Sequence, residues 1–195
     1  DSLTRGKAFA TDVARRGTAT MSSLDTTLAK LRATKSPAEL ALLRRAVDVS
    51  VVAHQQAMRA VAPGCGEYEI QALVDGTFRR LGADGPSYGS IVGSGPNSTV
   101  LHYMEDSRVM QAGELLVLDA GAAFDHYAAD VTRTLPVSGR FTPEQRVIYQ
   151  IVLEAQAAYV SKIRVGGTVG ESRAAGDAVV AEGLAALGLI ESAEA

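Results

Sequence analysis

A chain of 195 residues, 47% hydrophobic and 21% charged, has the composition of a folded globular protein and a length that suits one domain, or a domain plus a fragment of another. A formal net charge of −3 gives no bulk electrostatic reason to expect nucleic acid or an anionic membrane as partner. No apolar run approaches the length of a membrane span, and the single Cys65 excludes an intrachain disulfide and predicts a reducing, cytoplasmic compartment.

Residues 1–33 show no sustained periodicity and are rich in Thr, Ser and Arg. They read as a linker or the tail of a preceding N-terminal domain. Asp1 is not an initiator methionine, and "LAALGLIESAEA" stops at a helix exit, so the chain is expected to be a piece of something longer. A boundary follows at "KSPAEL", where Ser36 caps, Pro37 takes the first helical position and Glu39 completes a capping box. Leu40, Leu43, Val47, Val51, His54, Met58 and Val61 then recur at three- and four-residue steps, the pattern of one inward helix face. Pro63-Gly64 ends that helix.

A second helix is predicted from Glu67 to Leu81, with Ile70, Leu73, Val74, Thr77 and Phe78 inward and Gly82 as its stop. Gly and Pro then punctuate short β-branched runs. Two short strands are expected around Ile91 and Val100, joined by a loop at Gly95-Pro96-Asn97. "LLVLDAGAAFDHYAADVTRTL" reads as a β-hairpin. After it, "FTPEQ" repeats the earlier start signal, with Thr142 as cap and Gln145 closing the box. Ile148, Ile151, Val152, Ala155 and Tyr159 are expected to line that helix's inner face. A last, Ala-rich helix is predicted over residues 170–187. Strands grouped between helices predict an α+β fold, with helices packed on an antiparallel sheet.

The hairpin carries an acid in each apolar arm, although strand interiors are depleted in Asp. With the turn centred on Phe124-Asp125, Asp119 falls opposite Asp130, on the same face, with Cβ atoms about 4.5–5.5 Å apart. Two such carboxylates repel by roughly 3 kcal/mol at an effective dielectric of about 20. Three outcomes relieve this: a shared proton, a cation between the acids, or a bulge that sends one acid to solvent. Spacing leaves all three open.

The segments "LHYMED" and "GELLVLDAGAAFDHYAADVTRTLPVSGRFTPEQRVIYQIVLEAQ" closely resemble the catalytic domain of the Xaa-Pro aminopeptidases, the aminopeptidase P branch of the pita-bread metallopeptidases. The resemblance runs from about Lys35 to the C-terminus and is densest over residues 92–156. It implies that residues 34–195 are the first part of a pita-bread catalytic domain, an antiparallel sheet covered by helices, with the C-terminal part missing. It also implies a metal-dependent exopeptidase that cleaves between an N-terminal residue and a following proline. Two divalent metal ions, manganese above all, with zinc or cobalt as alternatives, would be held in part by Asp119, chelating one, and Asp130, bridging both. His102 matches the family's active-site histidine. Thr132 and Thr134 would support Asp130 through their hydroxyls. A proline-containing peptide is the implied substrate, and a homo-oligomer the implied state of the intact protein.

His54 is expected to be structural and His126 to lie at the surface. Asp106 departs from the family, which commonly has Asn there. The family's remaining histidine and glutamate motifs do not occur before Ala195. Rival readings are a prolidase acting on Xaa-Pro dipeptides and a non-catalytic pita-bread binding module. Retention of His102, Asp119 and Asp130 disfavours the module.

Overall fold

The computed structural model describes residues 2–17 and 23–193. Its elements run α1 (Ser2–Arg16), α2 (Asp25–Ala33), α3 (Pro37–Ala60), α4 (Glu67–Arg80), β1 (Gly85–Pro86), β2 (Ile91–Ser94), a 3₁₀ turn (Gly95–Thr99), β3 (Leu115–Asp119), β4 (Ala122–Phe124), β5 (Tyr127–Ala128), β6 (Thr132–Pro136), α5 (Pro143–Ser161) and α6 (Val169–Ala186). The strands form two antiparallel sheets of three, ordered β1-β4-β5 and β2-β3-β6.

The start signals hold at atomic detail. Ser36 Oγ accepts from Glu39 N and Ser36 N donates to Glu39 Oε2 at 2.6 Å. Thr142 and Gln145 repeat the exchange at α5, satisfying donors that a helix start leaves orphaned. Glu39 does double duty: its other oxygen accepts from the Tyr127 hydroxyl at 2.7 Å, which ties the tip of the β4–β5 hairpin to the start of α3.

Three expectations need correction. Ser2–Arg16 and Asp25–Ala33 form two helices, α1 and α2, which the lack of sustained periodicity did not predict; none of their described side chains is buried. The second strand expected around Val100 is absent. The 3₁₀ turn takes its place, with Pro96 at its start, and Val100 is exposed.

The third correction concerns which face of α3 turns inward. Of the predicted face, Leu40, Val47, Val51 and Met58 are exposed, Leu43 and Val61 are half-buried and His54 is buried, whereas Ala46, Val49, Ser50, Ala53 and Ala57 make up the rest of the buried stripe. The helix lies on β4 and β5, close enough for Ser50 to bond hairpin backbone. Small residues permit that approach; large ones do not. Size, not hydrophobicity, selects the buried stripe. In α5 the same reading fails partly: Ala155 is buried against α6, while Ile148 and Val152 are exposed.

Leu116 and Leu118 of β3 and Leu135 of β6 turn to one side of their sheet. They join Val92, Ile70, Val74 and Phe78 and the alanines of α3 in the core. The opposite side of that sheet presents Leu115, Val117, Asp119, Thr132 and Thr134, all at least partly accessible. Alternation along each strand therefore delivers Asp119 to the open face.

Candidate metal centre

The hairpin register differs from the expected one. Asp119 pairs with Thr132, and Phe124 with Tyr127. The turn is Asp125-His126, with φ of 46° and 68°, the two-residue arrangement whose twist suits a hairpin. The expected centre would have put Phe124 at positive φ, which Asp and His tolerate far better. His126 is exposed, as expected. Moving the turn by one residue moves each pairing by two, so no residue changes face. Asp119 and Asp130 are therefore diagonal neighbours on one face instead of direct opposites.

Neither acid sits in the interior of a strand. Asp119 ends β3, and Asp130 lies between β5 and β6. The ladder is interrupted here because other groups take its backbone partners. Ala122 N donates to Ser50 Oγ at 2.9 Å, and Ala120 O accepts from His54 Nε2 at 3.0 Å. Ser87 Oγ lies 2.7 Å from Ala129 O and 3.0 Å from Gly121 O and shares its one proton between them. Gly121 is obligatory: a Cβ there would lie 1.9 Å from Ala129 O. His54 is thus a structural side chain, 3% exposed. Burial lowers its pKa, and the neutral ring donates to the carbonyl.

Tyr88, in the loop between β1 and β2, joins the two acids. Its hydroxyl lies 2.5 Å from Asp119 Oδ1 and 3.2 Å from Asp130 Oδ1. Two oxygens sharing one hydroxyl partner are less than about 6 Å apart. Burial, and then the two carboxylates, push the Tyr88 phenol well above its ordinary value. It therefore remains a protonated donor at neutral pH. The acids and Tyr88 line a cavity of about 310 Å³ with Gly89, Ile91, His102 and Met104. His102 arrives on an exposed turn with φ of 54°. The three residues singled out in the sequence thus meet around one cavity.

Thr132 and Thr134 share the face of Asp119, but the hydroxyl that engages the acids belongs to Tyr88. The sequence marked residues 85–90 only as Gly- and Pro-punctuated loop, with nothing to separate Tyr88 from its neighbours. A larger cavity, of about 640 Å³, lies between the open face of β3 and β6 and helix α5; Leu115, Thr134, Phe141, Tyr149 and Val152 are among its walls. It contains none of the three predicted residues.

Paired carboxylate oxygens suit a hard divalent cation, which relieves their repulsion. Among the described residues no group of three or more His, Cys, Asp and Glu side chains is placed to hold a metal. Asp119 and Asp130 therefore fit part of a metal site and leave its remaining positions to other donors.

Comparison with known proteins identifies the family. Residues 41–191 match the model of metallopeptidase family M24. The Xaa-Pro aminopeptidase of Escherichia coli K12 is 41% identical over 162 residues, which cover 83% of this chain and 37% of that protein. The Xaa-Pro aminopeptidase of Haemophilus influenzae is 37% identical over 84% of this chain and 38% of its own length. Among solved structures, Pseudomonas aeruginosa aminopeptidase PepP superposes with a TM-score of 0.85 at 40% identity, over 98% of this chain and 44% of that one. A Glu383Ala variant of E. coli aminopeptidase P in complex with substrate gives 0.85 at 41% identity, over 88% and 39%. This chain thus spans less than half the length of these relatives. It belongs to metallopeptidase family M24 and shares, over its own length, the pita-bread fold of aminopeptidase P.

Proposed function

We propose that this chain carries part of the active site of a metal-dependent Xaa-Pro aminopeptidase, which hydrolyses the bond between an N-terminal residue and a following proline. The observation that carries the reading is the pair of aspartates brought to one face and joined through Tyr88, in a chain whose relatives are named for that activity. The proposal concerns the whole protein, since two carboxylates leave most of the coordination of two cations to other groups.

Asp119 and Asp130 are the metal ligands in this reading, and manganese is the preferred ion. Zinc or cobalt would meet the same oxygen donors, and E. coli aminopeptidase P has been studied with zinc substituted. When bound, such cations supply Lewis acidity, which lowers the pKa of a water and polarises a carbonyl. The Tyr88 hydroxyl, with its single proton, donates to Asp119 and lies beside Asp130, orienting the pair toward the cavity. His102, across the cavity, donates a hydrogen bond to the substrate as charge builds on its oxygen. Ile91 and Met104 give the cavity apolar walls suited to a prolyl ring. The single cysteine supports a cytoplasmic location.

The test is hydrolysis of an Xaa-Pro-containing tripeptide by the full-length protein with manganese, beside its D119N variant. The proposal expects turnover by the wild type and a loss of at least about a hundredfold in the variant. Equal turnover by both would refute it.

A further inference from the structure

We infer that Glu67 is a positioning residue whose buried carboxylate fixes the loop that carries His102 to the edge of the aspartate cavity. The inference rests on the reading of His102 given above. Glu67 opens α4 and is fully buried, a place where a carboxylate persists only when its oxygens are paired.

Every side-chain partner of Glu67 comes from one stretch of chain. Oε1 accepts from Ser94 N at 2.6 Å and from Ser94 Oγ at 2.7 Å. Oε2 accepts from Tyr103 Oη at 2.9 Å and from Arg108 N at 3.0 Å. Asn97 Nδ2 adds longer contacts to both oxygens. The segment between Ser94 and Arg108 leaves β2, passes through His102 and returns to α4, where Glu67 N donates to Arg108 O at 2.9 Å. One side chain thus grips the loop at its exit, in its first turn, beside His102 and at its return. Burial pushes the Glu67 carboxyl up, but the bonds from Ser94, Arg108 and Tyr103 outweigh it and hold the group below the usual carboxylate range. It is therefore a charged acceptor at neutral pH, and bonds to a charged acceptor are the stronger kind.

His102 needs such support. It is exposed on a turn at positive φ, a region histidine enters more readily than most residues but still at some cost. Its neighbour Tyr103 is 6% exposed and is the nearest anchored side chain, bonded to Glu67 and accepting from Ser107 N. Glu67 does not line the aspartate cavity. Any influence on chemistry passes through Tyr103 and the loop backbone.

The experiment is a double-mutant cycle in the full-length, manganese-loaded protein. E67Q keeps the shape but replaces one acceptor oxygen by a donor. Y103F deletes the bond beside His102, together with the weaker acceptor of Ser107 N, and leaves the bonds from Ser94 and Arg108 to Glu67 in place; it carries the test if E67Q does not fold. Each is expected to lower kcat on an Xaa-Pro tripeptide by about tenfold or more, the scale of a sub-ångström misplacement, with metal content and Tm of Y103F close to wild type. In an H102A background neither change should lower kcat further. Unchanged kcat in Y103F, or losses that multiply with that of H102A, would overturn the inference. Wild-type kcat in H102A alone would instead remove the reading of His102, and the inference with it.

Discussion

Asp106 shows how one atom changes the physics of a loop. Its carboxyl is 4% exposed, Oδ1 accepts from Val92 N at 3.3 Å, and Oδ2 has no partner among the described residues. Burial, with the charges of Glu67 and Asp75, pushes its pKa from 3.8 up to about 6, against the opposing bond from Val92. The folded protein therefore holds this proton more tightly than the unfolded chain does. That contribution is intact below pH 3.8 and is lost as pH rises through about 6. D106N, always neutral, should be more stable than wild type at pH 7.5 by about 1–3 kcal/mol and nearly equal to it at pH 4. Denaturant unfolding of both proteins at the two pH values checks this; a gap that does not depend on pH would contradict it. At the same scale, Asp119, Asp130 and His102 were legible because their motifs are specific. Tyr88 and Glu67 were not, since their importance comes from partners distant in sequence: 31 and 42 residues for Tyr88, 36 and 41 for Glu67.

Among elements, the helix starts were the most legible features, because a capping box is a local hydrogen-bond exchange complete within four residues. The buried face of α3 was not. Its large residues recur at helical spacing as regularly as its small ones, and only the nearness of the hairpin backbone decides between them. Ser50 and His54 reach that backbone and divide the hairpin into two sheets beside the acids. Ser50→Ala would leave Ala122 N buried without its acceptor, at a cost of about 1–3 kcal/mol. Denaturant unfolding measures that cost. A change below about 0.5 kcal/mol, the range of ordinary surface substitutions, would show that the interruption of the ladder does not depend on Ser50.

At the scale of the whole molecule, the α+β class and the antiparallel pairing follow from the order of elements, and the face shared by the acids survives an error in the turn. The apolar stripe of α3 and the residues Ile148 and Val152 of α5 stand exposed, in a chain that spans 37% of the E. coli relative. Periodicity identifies such stripes, but burial is a property of everything that packs on them. The same holds for the candidate metal centre, where the sequence supplies two carboxylates and the fold brings them together.

The central claim is that these two carboxylates hold metal, and stoichiometry addresses it without reference to turnover. Manganese bound per full-length protein should be measured after dialysis, for wild type, D119N and D130N. Two ions in the wild type are expected. D119N should keep at most one, and D130N, which replaces the carboxylate by a neutral amide, should lose most of both. Retention of two ions by either variant, with the fold intact by circular dichroism, would contradict the account.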